Sequence, residues 1–118
     1  MLLRVGPLPV ASLAASAEFT TRVLPKVLAA LATPLPSLKA EGLLLVFSPA
    51  QPRHRAWRLA VIQELARVYA PLRINAVESD DEAAITAAAA YLDTAAAITG
   101  QYLPLDGKGA GHVVTSPA

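Results

Sequence analysis

Apolar residues come along this chain in two kinds of block: short continuous runs, and longer stretches in which they recur every three or four positions. The run Leu43-Leu44-Leu45-Val46-Phe47 follows Gly42 and stops at Ser48-Pro49. A continuous apolar run between turn residues predicts a parallel strand covered on both faces. Leu2-Leu3-Arg4-Val5 predicts a short strand ended by Gly6-Pro7-Leu8-Pro9, where two prolines remove backbone donors. Leu72-Arg73-Ile74-Asn75-Ala76-Val77 predicts a third strand and Gln101-Tyr102-Leu103-Pro104-Leu105 a last one, with Pro104 marking a sheet edge or strand end.

Between these runs the spacing changes to that of helices. In residues 12–33, Phe19, Val23, Val27, Ala30 and Leu31 form an apolar stripe, Pro25 predicts a kink or restart, and Pro34-Leu35-Pro36-Ser37 ends the pattern. Residues 52–70 predict a second helix with Trp57, Val61, Leu65 and Val68 toward the core, widened by Ala56, Ala60 and Ile62. Arg55, Arg58, Gln63, Glu64 and Arg67 then face solvent, and Pro71 closes the helix. Ser79-Asp80-Asp81-Glu82 reads as a capping box, with the serine hydroxyl accepting three residues on and Glu82 reaching back. The helix it opens is expected to run to Ile98 and stop at Gly100. The alternation predicts an α/β fold: three or four parallel strands joined by right-handed crossovers and covered by helices on both sides.

At 118 residues the chain suits one domain spanning 1–118. Residues 107–118 are expected to form a glycine-rich turn and a tail that is flexible or docked on a partner. Charged residues make up only 16% and the net charge is +1, which gives no footprint for nucleic acid. There is no cysteine, and His54 and His112 lack a zinc-site spacing, so no metal site is assigned. The strongly apolar uncharged stretch 83–92 is too short to cross a bilayer, and the proline-broken start makes a poor signal peptide. A cytoplasmic protein without membrane contact is the expectation. The apolar share of 54% is more than a small monomer buries, which favours an oligomer.

One cluster carries candidate chemistry. Arg53, His54, Arg55 and Arg58 stand together at the start of the second helix. The plain reading is a basic, solvated helix start. The functional one is a site for an anionic substrate or a cofactor phosphate, with His54 as acid or base near neutral pH. Cations at a helix start oppose the dipole slightly, which favours the second reading faintly.

Several segments resemble the C-terminal half of a short-chain dehydrogenase/reductase, over about residues 40 to 109 and more weakly the helix before them. Arg73-Ile74-Asn75-Ala76-Val77 resembles the family's strand after the active-site helix. Ile98-Thr99-Gly100-Gln101 with Leu105-Asp106-Gly107 resembles its closing segment. Leu65-Ala66-Arg67-Val68-Tyr69-Ala70-Pro71 resembles the end of the catalytic helix, and the run Leu43-Leu44-Leu45-Val46-Phe47-Ser48 the strand leading to the catalytic serine. The resemblance implies a truncated, Rossmann-like three-layer domain.

It also implies what should be present and is not. The family's tyrosine and lysine would fall near Gln51 and Arg55, and no tyrosine occurs before Tyr69. Ser48 is the one match to the upstream serine, and a lone serine has no base to activate it. The first forty residues hold no glycine-rich turn to cradle a pyrophosphate. The strand ending at Val77 runs directly into the final helix through Glu78-Ser79-Asp80, without the family's substrate-covering region. No catalytic, cofactor-binding or metal-binding residue is therefore assigned, and no cofactor. Ser48, Arg53, His54, Arg55 and Asn75 remain as a candidate vestigial or altered site. The expectation is a noncatalytic subunit that binds its own kind or a full-length dehydrogenase. The elements that would assemble are residues 16–32, 53–70, 81–98 and 101–105. The alternative is an NAD(P)-dependent oxidoreductase, or a nucleotide binder, with an altered site around Arg53 to Arg58.

Overall fold

A computed structural model describes residues 1–32 and 36–105 of the chain. The glycine-rich turn and tail expected at 107–118 lie outside the described residues. Four strands, β1 (Leu2–Arg4), β2 (Leu43–Phe47), β3 (Ile74–Glu78) and β4 (Tyr102–Pro104), form one sheet in the order β1-β2-β3-β4. All three pairings are parallel, with Leu3 opposite Leu45, Leu45 opposite Ala76, and Ala76 opposite Tyr102. This is the predicted parallel α/β arrangement of a Rossmann-like sheet.

Strand alternation divides the core in two. On the first face Leu45, Phe47, Ile74, Ala76 and Tyr102 pack against Phe19, Val23, Val27 and Leu31 of the helices after β1 and against Leu59 and Ile62 of the helix after β2. On the second face Leu44, Val46 and Val77 pack against Ile85 and Leu92 of the last helix. β2 and β3 are buried along their whole length because both faces are covered.

The chain steps across the sheet in one direction, yet its first two crossovers cover the first face and its third covers the second. The third connection therefore has the opposite hand to the others, and the expectation of three right-handed crossovers is corrected. The reason is occupancy: the helix after β2 already packs beneath both β3 and β4 on the first face. The last helix is left to cover Leu44, Val46 and Val77.

The first helical region consists of α1 (Ser12–Glu18), a π turn (Phe19–Val23) and α2 (Leu24–Ala32). Ala15, Phe19, Val23, Val27 and Leu31 are all buried, at a strict spacing of four. In an α-helix a four-residue step drifts about 40° around the axis. The wider π turn, in which the Leu24 amide bonds the Phe19 carbonyl, takes up that drift and keeps the stripe on the sheet. It also explains why the irregularity precedes Pro25, whose ring would meet the carbonyl of residue 21 in a regular helix. After residues 33–35, a short helix α3 (Pro36–Glu41) appears where only a break was expected. Pro36 takes its first position, where a missing N–H costs nothing.

A 3₁₀ turn (Pro52–His54) leads into α4 (Arg55–Val68). Its inward face is Arg58, Leu59, Ile62, Leu65 and Ala66, while Val68 is 62% exposed. The helix is thus rotated from the predicted register, and Arg58, assigned to solvent, is buried. The last helix α5 (Glu82–Thr94) stops short of Ile98, because Arg73 donates from Nη1 to the Leu92 carbonyl at 2.7 Å and closes its end. Its cap also differs from the expected box. Asp81 is the N-cap, its Oδ1 accepting from the amides of Ala83 and Ala84 at 3.0 and 3.4 Å, and Glu82 turns away to a bidentate pair with Arg4.

Gly42 joins α3 to β2 at φ +79°, and a Cβ there would stand 2.5 Å from the Arg73 carbonyl oxygen. Gly6 has the same φ but open space around it. Gly6→Ala should cost about 1–2 kcal/mol for the left-handed backbone alone. Gly42→Ala should cost clearly more, read as the larger drop in urea midpoint.

Candidate functional site

At the carboxyl end of the sheet, β2 exits toward α4 on the first face and β3 exits toward α5 on the second. Open parallel sheets bind ligands in the crevice where neighbouring exits separate. In this chain the first-face side of that crevice is filled by its own side chains. Glu78, the last residue of β3, is buried, and so is Arg58. Arg58 Nη1 donates to the Ser48 carbonyl at 3.0 Å and to the Tyr102 hydroxyl at 2.9 Å, and lies 3.5 Å from Glu78 Oε1. The Tyr102 hydroxyl donates to the same carboxylate oxygen at 2.5 Å. The phenol thus bridges guanidinium and carboxylate through contacts shorter than their direct one. Arg55 Nη2 approaches Glu78 Oε2 at 3.6 Å from the half-exposed side.

Aromatic rings complete the enclosure. The Arg58 guanidinium carbon sits 4.6 Å from the centre of the Phe47 ring and 5.7 Å from that of Trp57. Phe47 in turn packs on Phe19, Trp57 and Tyr102. Stacking on rings suits a weakly hydrated guanidinium and offsets part of its desolvation. Burial, and then the bond to the Glu78 carboxylate, push the Tyr102 hydroxyl well above the ordinary tyrosine range, although Arg58 opposes this. Such a phenol keeps its proton at neutral pH, as the donor that Glu78 requires.

The residues singled out in the sequence divide among three places. His54 is buried, with Nε2 2.9 Å from the Val10 carbonyl, and its Nδ1 receives the Trp57 indole N–H at 3.3 Å. An indole only donates and a carbonyl only accepts, so the ring is neutral with its proton on Nε2. Both nitrogens are committed to structure. Ser48 is exposed just beyond β2, and Arg53 is exposed and bonded to the Gln51 side chain. Arg55 stands near the crevice against Glu78. Asn75 is elsewhere: near the amino end of β3 and on the second face, its Nδ2 donates to the Ile98 carbonyl and its Oδ1 accepts from the Gln101 amide, both at 3.0 Å. It fastens the connection between α5 and β4.

The residues that sequence reasoning passed over are Glu78, Tyr102 and the inward role of Arg58. A signal for the last was present, since Arg58, Ile62 and Leu65 share helical spacing. A cavity of about 130 Å³ lies at the opposite, amino end of the strands, lined by residues including Leu44, Arg73, Asn75 and Leu92. It is well below the roughly 300 Å³ at which ligand pockets begin. Among the described residues no group of three or more His, Cys, Asp or Glu is placed to hold a metal ion.

Arg58→Met should destabilise the protein by about 3–5 kcal/mol, because it leaves the buried Glu78 with a half-exposed Arg55 as its cation partner and only the Tyr102 hydroxyl beside it. Denaturant titration at neutral pH reads this. Tyr102 gives a pH dependence. Its folded pKa lies above the unfolded value of about 10, so the native state holds a proton that the unfolded state releases. Its contribution is complete below pH about 10 and falls above it, by up to about 1.4 kcal/mol per pH unit. Tyr102→Phe should remove that part of the alkaline slope in a series of unfolding curves.

A family model described as short chain dehydrogenase-like protein matches residues 3–105, which takes in all four strands, the Glu78 cluster and the Asn75 fastening. Neither the curated proteins nor the solved structures gave a match. With the parallel sheet and a match over most of its length, the chain belongs to the short-chain dehydrogenase-like family.

Proposed function

We propose that this family member is noncatalytic and acts as a structural subunit that binds other protein chains, its own copies first among them. The observation that carries the reading is the occupied crevice. Where a parallel α/β sheet would take a ligand, Arg58, Glu78 and Tyr102 bond one another, and Arg55 adds a second cation beside the carboxylate. His54, the one histidine among the described residues, has both ring nitrogens engaged. Arg55 occupies the position that the family resemblance gives to lysine, and Gln51 that of the tyrosine.

Surface composition supports the binding role. Val68 and Tyr91 are 62% and 56% exposed on α4 and α5, two of the elements expected to assemble. The outer side of α5 also carries the small residues Ala83, Ala87 and Ala90, over which another chain can approach closely. Among the described residues no helix is long and apolar enough to cross a membrane. In this reading the protein works in the cytoplasm, as an oligomer or bound to a full-length dehydrogenase.

Isothermal titration of the purified chain with NAD(H) and NADP(H) should give no heat of binding. Saturable heat that Arg55→Gln removes would establish the nucleotide-binding alternative instead. Sedimentation velocity at micromolar concentration should show a species larger than the monomer.

A further inference from the structure

We infer that a second copy of this chain docks end to end on the carboxyl end of the sheet, through reciprocal contacts of Arg53 with Asp80. This rests on the self-binding reading above and names the face it uses. Arg53 is exposed, and its side chain bonds only the neutral Gln51 amide. Asp80 is exposed and engages no cation among the described residues. Their charged neighbours are committed: Arg55 and Arg58 to Glu78, Asp81 to the cap of α5, and Glu82 to Arg4. Among the described residues the first-face side of this end is thus cationic, with Arg53 and the excess charge of Arg55 and Arg58 over Glu78, while Asp80 on the second-face side is an anion without a cation partner.

They stand on opposite sides of the sheet. Arg53 leads into α4 on the first face, and Asp80 leads into α5 on the second. A two-fold axis lying in the sheet plane, perpendicular to the strands, brings two carboxyl ends together and exchanges the faces. The cationic side of each copy then meets the anionic side of the other, and the contact closes on itself as an isologous dimer. The other end-to-end two-fold, along the sheet normal, would oppose cationic side to cationic side.

Apolar anchors flank the cation. Val10 and Leu13 are 82% and 88% exposed. Their backbone is nevertheless held, that of Val10 by His54 on its carbonyl at 2.9 Å and that of Leu13 by its place in the first turn of α1. Exposed apolar side chains on a fixed backbone lose little entropy when covered. That makes them contact residues of the dimer, beside the charge pair.

Charge exchange tests this on the full chain by sedimentation velocity. The wild type should dimerise with a dissociation constant that rises with salt, because surface charges are screened over about 8–10 Å. Arg53→Glu and Asp80→Arg should each raise that constant about tenfold or more, and the double variant R53E/D80R should restore it. Leu13→Ser should weaken the dimer without changing its salt dependence. All three positions are exposed, so circular dichroism should show an unchanged fold. A dimer insensitive to both reversals would overturn this face while leaving the self-binding reading intact. A wild type monomeric at every concentration would overturn both. A monomer that instead sediments with anionic phospholipid vesicles would reassign the Val10, Leu13 and Arg53 surface to a membrane.

Discussion

Glu78 ends a strand buried along its whole length, and an unpaired carboxylate in that position would cost several kcal/mol of desolvation. Everything at the carboxyl end of the sheet is arranged around meeting that requirement. Arg58 must turn inward, which fixes the rotation of α4 and brings Leu59, Ile62 and Leu65 onto the sheet. Tyr102 must hold its proton and lie flat between acid and base, which fixes the side-chain alternation of β4. The Phe47 and Trp57 rings must flank the guanidinium, and the Trp57 indole then fixes the tautomer of His54. The arrangement is not fully satisfied: the buried Nε groups of Arg55 and Arg58 have no hydrogen-bond partner among the described residues. That is a cost of about 1–3 kcal/mol for each. A cluster held despite such a cost contributes more to choosing one packing than to net stability.

The same cluster relates fold to function. In a sheet of this topology the exits of β2 and β3 would frame a ligand, and in this chain side chains that belong to the core stand between them. Stability and access to the crevice draw on the same atoms. A substitution that opened the crevice to a ligand would first have to strand a buried charge.

Much of the architecture is legible in the sequence, and the exceptions have physical causes. The continuous apolar run before Ser48 and the punctuation at Gly42 and Pro71 place β2 and the limits of α4 without reference to any partner. The rotation of α4 is hidden because hydrophobic spacing treats arginine as polar. Only knowledge of a buried carboxylate on another strand turns Arg58 inward. The early end of α5 is hidden for a similar reason, since Arg73, nearly twenty residues away, takes its carbonyls. The π turn is signalled by a four-residue spacing too long for a regular helix, and Pro25 stands at the restart of the α-helix just after it. Of the candidate site, Ser48, Arg53, His54 and Arg55 lie near the carboxyl end of the sheet, whereas Asn75 belongs to the other end.

Asn75 bears on what family likeness can mean. The third crossover runs against the usual hand, so helix packing alone does not deliver β4 to its place beside β3. The asparagine supplies the fastening, tying the Ile98 carbonyl and the Gln101 amide on the approach to β4 to the neighbouring strand. A residue of this kind answers to chain closure and to nothing in a reaction. Likeness built on it travels with the architecture: the residue that marks the family in this strand is held in place by what it does for the sheet.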